Sequence, residues 1–302
     1  MTRYRLDLAY DGTDFHGWAA QPGQRTVQGV LQDAIAAALA TLDLPPDCAI
    51  TVAGRTDSGV HARGQVVHVD VQADPATPLR SAQDDENGAP SSCAKSQDLV
   101  TTLTRLISRG LPGDVSLHHV TPAPDGFDAR FSATGRTYCY RLWDDVSVPF
   151  PALGRMVTPA PWCLDVDTMA QAAASLTGLR DFAPFCRAHD AAKAAHGATT
   201  IRHLRRFDVV RAADPSRTIE CWLEADAFCQ SMVRSLVGAV VTIGGGRHDL
   251  AWLTGVATGK ARASDVPVLP PKGLTLESVT YPPADQLAAR AEIARNTREP
   301  LL

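Results

Sequence analysis

The chain has 302 residues, of which 45% are hydrophobic and 21% are charged, and its formal net charge at pH 7 is −4. This balance is typical of a folded globular protein and excludes a wholly disordered chain, a collagen-like repeat and a coiled-coil rod. The length predicts two domains or one large unit of helices and strands. No run of about 18 consecutive apolar residues is present, which argues against a membrane-spanning helix.

The N-terminal segment and the cysteines indicate the compartment. Residues 1–15 alternate apolar and charged residues and lack the unbroken apolar stretch and the cleavage site of a secretory signal. The seven cysteines are odd in number and include no Cys-x-x-Cys pair, so we expect reduced thiols, no disulfide framework and no metal site. The sequence therefore predicts a cytoplasmic protein.

The first half of the chain mixes strand and helix patterns. Three segments alternate apolar and polar residues as strands do, namely residues 4–10, 65–71 and 115–120. Two segments have the apolar spacing of helices, namely residues 27–39, which Thr26 can cap, and residues 99–107. We predict an N-terminal domain over 1–122, in which residues 74–98 form a mobile surface insertion. Five acidic residues against two basic ones in that insertion leave the rest of the chain close to neutral.

The second half has the same mixture of patterns. Strand patterns occur at residues 138–142, 219–225 and 274–279, and helix patterns at residues 166–176 and 232–240. The triple glycine at 244–246 ends the second of these helices. We therefore predict an α+β fold of two sheet-and-helix domains, the second over 123–302, with a cleft between them.

One segment carries a recognisable chemical arrangement. Residues 53–62 (AGRTDSGVHA) place the carboxylate of Asp57 between two glycines and two positions after Arg55. Flanking glycines allow a sharp turn and the close approach of a large substrate, and an ionised carboxylate near cations can act as a nucleophile. A structural turn with a surface Arg–Asp pair would give the same spacing. For His61 and His68 we expect structural roles.

The run GRTDSGVHARGQVVH resembles the central motif of the TruA family of tRNA pseudouridine synthases. Further segments follow in the family's order, namely YDGTDFHGW, TVQ, LPGDV, ARFSATGRTYCY, FCQSMVRSLVG and GLTLESVTYP. The resemblance covers most of the chain and implies a pseudouridine synthase fold with a central active-site cleft. The sequence departs from the family pattern at Ala19, where a glutamine is usual, and at Gln230-Ser231, where the family has two histidines.

The resemblance also implies the site residues and the reaction. Asp57 corresponds to the nucleophile, Tyr138 to the aromatic residue that packs against the target base, and Arg234 to the cation paired with Asp57. Plain strand packing for Tyr138 and a surface position for Arg234 are the alternatives that each residue alone would favour. Attack on the ribose C1′ and attack on the uracil C6 both stay open, and neither requires a cofactor.

The resemblance implies a folded RNA substrate, whose target uridine has to leave its stack. Arg55 is the candidate to occupy the vacated space. The predicted phosphate contacts are seven arginines, namely Arg63, Arg130, Arg136, Arg141, Arg202, Arg205 and Arg206.

The resemblance implies a homodimer that acts on uridines at nominal positions 38, 39 and 40 of the tRNA anticodon stem-loop. Two other functions stay open at this point. A glycoside hydrolase would need a second carboxyl group near Asp57, which Asp11 or Asp14 could supply through folding. A catalytically inactive RNA-binding protein would keep the arginines and could dispense with Asp57.

Overall fold

The computed structural model describes residues 1–72, 92–160, 162–187 and 199–295. Ten strands lie in these ranges: β1 (Thr2–Tyr10), β2 (Ile50–Val52), β3 (His61–Val71), β4 (Val115–Pro122), β5 (Gly135–Trp143), β6 (Thr158–Pro159), β7 (Gly178–Asp181), β8 (Ile201–Arg211), β9 (Ile219–Ala225) and β10 (Leu274–Thr280). They form one sheet in the order β4-β1-β3-β10-β5-β9-β8-β7, with β2 paired to β3 and β6 paired to β5.

Helices pack on this sheet and complete the predicted α+β class, which is confirmed. Those in the described ranges are α1 (Val27–Thr41), α2 (Ser92–Gly110), α3 (Val166–Ser175), α4 (Met232–Gly244), α5 (Leu250–Ala257) and α6 (Leu287–Arg295). The side chain of Thr26 accepts a hydrogen bond from the amide of Gly29 and caps α1 as predicted. Across the described part of the chain, no helix is both long enough and apolar enough to cross a bilayer.

The last strand joins the two halves of the sheet. β10 runs parallel to β3, with Thr275 opposite His61, and antiparallel to β5, with Leu276 opposite Tyr138. At this central place the start of β10 is buried on both faces, with Leu274 and Leu276 on one face and Thr275 on the other. The sheet is thus continuous across the halves, and the division of the chain into domains at 122 and 123 stays a prediction.

The two faces of the sheet bury different apolar clusters. The larger cluster includes Val67 and Leu6 together with the helices α1, α3 and α4. A smaller cluster on the other face consists of Ala53, Val66, Phe127, Ala129 and Leu287. Val66 and Val67 lie in different clusters because successive strand residues point to opposite faces. Removal of such side chains from water is the main contribution to the stability of the fold.

One boundary prediction was wrong. Helix α2 begins at Ser92, so residues 92–98 are helical and are not the loop that was predicted for them. Alanine, lysine and glutamine in this stretch are good helix formers, and no proline or glycine separates it from the amphipathic residues that follow. The remainder of the predicted insertion, residues 74–91, lies outside the described residues.

The expectation for the cysteines also needs correction. Cys186 and Cys229 form a disulfide, with 5.7 Å between their Cα atoms. Among the described residues Cys48, Cys139, Cys163 and Cys221 are free. The two bonded residues are 43 positions apart, so no local spacing in the sequence could indicate the pair.

Candidate active site

Asp57 lies in the loop of residues 53–60 between β2 and β3, called here the Asp57 loop. The loop backbone is bonded to the segment after β1. The amide of Trp18 donates to the carbonyl of Thr56 at 3.0 Å, and the amide of Gly59 donates to the carbonyl of Phe15 at 3.2 Å. These bonds on both sides of Asp57 fix the backbone from which its carboxylate projects.

Hydrogen bonds of buried polar side chains hold the Asp57 loop in place. The hydroxyl groups of Tyr10 and Thr56 are 2.8 Å apart. The side-chain amide of Gln65 donates to the carbonyl of Gly54 at 2.8 Å and to the Tyr10 hydroxyl at 3.2 Å. Burial raises the pKa of Tyr10 to about 12, so its phenol stays neutral. A satisfied buried network of this kind holds a loop rigidly.

A glycine allows the Asp57 loop to approach the segment after β1. Gly17 has a φ of +88°, a backbone conformation that residues other than glycine rarely adopt. A Cβ atom at Gly17 would lie 3.0 Å from the carbonyl oxygen of Thr56 and 3.1 Å from the amide nitrogen of Ser58. The loop therefore requires glycine at position 17 both for backbone conformation and for space.

The structure brings Asp57 and Arg234 together from opposite halves of the chain. Nη1 of Arg234 lies 3.5 Å from Oδ2 of Asp57, with side-chain exposures of 17% and 34% respectively. Nε of Arg234 donates to the carbonyl of Leu269 at 2.6 Å. Arg234 is in the first turn of α4, where its long side chain can leave an otherwise buried apolar helix. The hydrogen bond to Leu269 fixes the guanidinium beside the Asp57 carboxylate, with which it forms the ion pair.

Tyr138 completes this group from β5. Its side chain is buried, with 8% exposure, and its ring meets that of Phe228 edge-on at a centroid distance of 5.2 Å. A Cβ atom built on Gly54 would lie 3.9 Å from the Tyr138 hydroxyl, which is therefore next to the Asp57 loop. Burial, together with the negative charge of Asp57, raises the pKa of Tyr138. The phenol is consequently held in its neutral form.

Most of the other predicted arginines are exposed. Arg55 lies in the Asp57 loop with its side chain in solvent. The other exposed arginines are Arg63, Arg130, Arg205 and Arg206, and Arg202 is half-buried. Several have acidic or carbonyl partners, for example Glu277 at 3.7 Å from Arg63 and the Thr134 carbonyl at 2.9 Å from Arg205. Their contact with phosphate stays a prediction.

Two arginines are placed differently from the others. Arg141 is buried and bound to Glu277 at 2.8 Å and to Glu220 at 3.2 Å, so the phosphate contact predicted for it was wrong. Arg136 is half-buried, and its guanidinium donates hydrogen bonds to backbone carbonyl groups. Strand alternation could not separate Arg136 and Arg141 from the exposed arginines, because it predicts which face of the sheet a side chain lies on but not which residues surround it there.

The carboxylates that could have served a hydrolase have other partners. Asp11 lies 2.8 Å from Arg155 and 3.2 Å from Nδ1 of His61, and Asp14 also pairs with Arg155. Nδ1 of His61 accepts the amide of Gly12 at 3.1 Å, and burial lowers the pKa of this histidine. This is the structural role predicted for His61. Within the described ranges, the ion pair of Asp57 is the one with Arg234.

Sequence reasoning missed several residues that build the site. Phe228 lies in the segment FCQSMVRSLVG, but nothing in that segment indicates a contact with Tyr138. Tyr10 and Gln65 lie at the ends of the predicted strand segments 4–10 and 65–71, and strand alternation does not indicate hydrogen bonds of their side chains. A buried glutamine within an apolar strand was the signal that could have revealed the polar network.

Comparison with known proteins gives a consistent family. A family model described as tRNA pseudouridine synthase matches residues 172–282. The chain is 47% identical to tRNA pseudouridine synthase A of Cutibacterium acnes, over 99% of this chain and 95% of that protein. It is 45% identical to tRNA pseudouridine synthase A of Frankia casuarinae, over 99% of this chain and 97% of that protein.

A solved structure described as a crystal structure of a Cbf5-Nop10-Gar1 complex is similar at 12% identity and a TM-score of 0.31, over 80% of this chain and 54% of that one. A likeness of this size supports no conclusion about function.

Proposed function

The chain belongs to the tRNA pseudouridine synthase A family and is a tRNA pseudouridine synthase; from this premise we propose that it isomerises uridines at nominal positions 38, 39 and 40 of the anticodon stem-loop, with Asp57 as the nucleophile. The observation that carries the proposal is the pairing of Asp57 with Arg234 next to the buried ring of Tyr138. The resemblance of the motifs to those of the family supports the choice of the anticodon stem-loop.

The reaction exchanges one bond of the base for another. The N1–C1′ bond of uridine breaks, the uracil turns over in the site, and a C5–C1′ bond forms. The hydrogen at C5 leaves as a proton and N1 gains one, so no oxidant, reductant or cofactor is consumed. The Asp57 carboxylate forms a transient bond either to the ribose C1′ or to the uracil C6, and that bond breaks before the product leaves.

Tyr138 is suited to hold the uracil during its rotation. A flat ring can stack on the base without fixing its angle in the plane. The raised pKa of Tyr138 keeps the hydroxyl protonated, so the ring offers the base a neutral surface and a hydrogen-bond donor. Removal of the C5 proton by this hydroxyl would first require the phenolate, which burial disfavours.

Arg234 keeps the nucleophile in place. It binds Asp57 through Nη1 while Nε is held by the Leu269 carbonyl, so the carboxylate faces a cation of fixed position. Such preorganised electrostatic contacts reduce the reorganisation that the reaction requires.

The exposed arginines are proposed to bind RNA phosphate groups, and the active form is proposed to be a homodimer. The exposed Arg63, Arg130, Arg205 and Arg206 and the half-buried Arg202 supply cations on a protomer whose net charge is slightly negative. A second protomer would add its own cations to one RNA-binding surface. A cytoplasmic location also stays part of the proposal.

The hydrolase alternative lacks support from the site. Asp11 and Asp14 are paired with Arg155, whereas a glycosidase needs a second carboxyl group at the scissile bond. An inactive RNA-binding protein is disfavoured by the family membership and by the number of contacts that fix the Asp57 loop.

The experiment uses unmodified tRNA labelled with tritium at uracil C5. Isomerisation releases the label as water, whereas hydrolysis releases free uracil and binding alone releases neither. Asp57→Asn should lower the single-turnover rate at least ~10³-fold while the Kd for tRNA stays within about threefold. Asp14→Asn is the matched control, because it removes an exposed carboxylate of the adjacent segment, and it should retain the wild-type rate.

A rate for Asp57→Asn close to that of the wild type would overturn the nucleophilic role. Stem-loops with a single uridine at position 38, 39 or 40 test the substrate separately. Label release from none of the three, with release from intact tRNA, would show that the target uridine lies elsewhere.

A further inference from the structure

Arg136 makes three hydrogen bonds to carbonyl groups of separate segments. Nη1 donates to the carbonyl of Asp226 at 2.7 Å, and Nη2 donates to the carbonyls of Ala53 and Arg130, each at 2.9 Å. Burial lowers the pKa of this guanidinium. Partial burial of a cation costs free energy unless hydrogen bonds compensate for it. The three hydrogen bonds of Arg136 therefore argue against an incidental surface contact.

The Ala53 carbonyl is the informative partner, because Ala53 is the first residue of the Asp57 loop. The amide of Ala53 donates to the carbonyl of Val66 at 2.8 Å, which attaches it to β3. Within the described part of the chain, the Ala53 carbonyl accepts a hydrogen bond from Arg136 and from no other residue. The bond from Arg136 thus fixes the direction in which the chain enters the Asp57 loop.

Arg136 and Tyr138 belong to the same strand and the same face. They are two residues apart in β5, and the pairing of this strand with β9 is regular, with Arg136 opposite Ala225 and Tyr138 opposite Leu223. One strand therefore carries both the ring proposed to hold the base and the cation that holds the start of the loop with the proposed nucleophile. The third partner, Asp226, directly follows β9 and lies two residues before Phe228.

We propose that Arg136 is a positioning residue for the reaction, which locks the Asp57 loop against β5 and sets the distance between Asp57 and Tyr138. This inference rests on the proposed nucleophilic role of Asp57. It replaces the phosphate contact expected for Arg136, since the donors that would grip a phosphate are bound to carbonyl groups.

Arginine is required for this task because its planar guanidinium offers five donors in a fixed fork. Lysine has the same charge at a single rotatable nitrogen and cannot reach three separated carbonyl groups in one geometry. A displacement of reacting groups by about 1 Å can cost on the order of 100-fold in rate. The charge-conserving variant Arg136→Lys is therefore the most informative one.

The test measures three quantities for the full-length wild type, Arg136→Lys and Arg136→Met. They are the single-turnover rate of tritium release at saturating tRNA, corrected for the folded fraction, the Kd for tRNA at several salt concentrations, and the Tm. We expect both variants to lose about 10- to 100-fold in the single-turnover rate while the Kd and its salt dependence stay unchanged. Arg180→Lys is the control, because Arg180 also donates to a carbonyl, that of Thr177, but lies on the edge strand β7.

The other outcomes would overturn the proposal. A phosphate contact would raise the Kd of Arg136→Lys or Arg136→Met, reduce the salt slope by about 0.7 to 0.9, and leave the saturated rate unchanged. Wild-type rates in both variants would show that the carbonyl bonds do not position the loop. Failure of both variants to fold would make Arg136 a folding residue only. A wild-type protein without tritium release would instead refute the proposed function itself.

Discussion

The ring of Phe228 meets the ring of Tyr138 edge-on, with 5.2 Å between their centroids and 86° between their planes. Phe228 lies between the end of β9 and the start of α4, and Tyr138 lies in the middle of β5. The contact therefore connects the segment that leads to Arg234 with the strand that carries the proposed base-holding ring. This aromatic pair is thus one of the contacts between the two sides of the site.

Phe228→Ala should reduce catalysis without affecting RNA binding. An edge-to-face pair contributes ~0.5–1.5 kcal/mol, so loss of the ring leaves Tyr138 less fixed and should lower the single-turnover rate about two- to tenfold. The measurement is tritium release at saturating tRNA. Phe228→Tyr keeps the ring and serves as the matched variant, with a rate near that of the wild type. Equal rates for Phe228→Ala and Phe228→Tyr would contradict the role assigned to the pair.

Gly17→Ala should displace the Asp57 loop, because a Cβ atom there would crowd Thr56 and Ser58. Gly23→Ala is a close control, since Gly23 also has a positive φ, of +69°, but a Cβ atom there meets nothing within 4 Å. Each substitution should cost about 1–2 kcal/mol in the free energy of unfolding from backbone strain. Only Gly17→Ala should also lose about tenfold or more in single-turnover rate. A similar loss of rate in both variants would show that strain alone, and not contact with the loop, matters.

Arg55→Ala should slow the reaction more than it weakens binding. Base extrusion costs a few kcal/mol, and the exposed guanidinium of Arg55 is the proposed group that fills the vacated space. We expect about a tenfold lower single-turnover rate and a Kd within about threefold of the wild type. Arg63→Ala, at a proposed phosphate contact, should show the opposite pattern, with a raised Kd and a smaller salt slope. An unchanged rate for Arg55→Ala would exclude its role in extrusion.

His68 should make the free energy of unfolding dependent on pH. Its Nδ1 accepts the amide of Ala129 at 2.9 Å, and burial followed by the charge of Arg3 lowers its pKa. The unfolded chain, with an ordinary histidine pKa near ~6.5, then binds the proton first as the pH falls. The stabilisation is complete above about pH 6.5 and is lost as the pH falls below it, by at most ~1.4 kcal/mol per pH unit for one proton.

Urea denaturation between pH 8 and pH 5 measures this dependence. His68→Asn keeps an acceptor for the Ala129 amide and should give a shallower slope than the wild type below about pH 6.5. Some slope should persist in the variant, because burial also lowers the pKa of His61. His119→Asn replaces an exposed histidine and should keep the wild-type slope. An identical slope in His68→Asn and the wild type would show that His68 does not supply the linkage.

Local patterns in the sequence predicted several elements correctly. The alternation at residues 4–10 and 219–225 corresponds to β1 and β9, and Thr26 caps α1. The predicted strand at 65–71 begins earlier, at His61, because residues of the motif pair with β10 in the folded sheet. Helix α2 extends beyond the predicted 99–107 at both ends. Element boundaries depend on neighbours that periodicity does not contain.

The sequence by itself determined the α+β class and, through its motifs, singled out Asp57, Tyr138 and Arg234, because strand alternation, helix spacing and motifs are local properties of the chain. Only the tertiary structure decided that Phe228 meets Tyr138 and that Arg136 binds backbone carbonyl groups, and only it gives the geometry of the Arg234–Asp57 pair that the resemblance implied. These contacts join residues distant in sequence, and they form only when β10 brings the two halves of the sheet side by side.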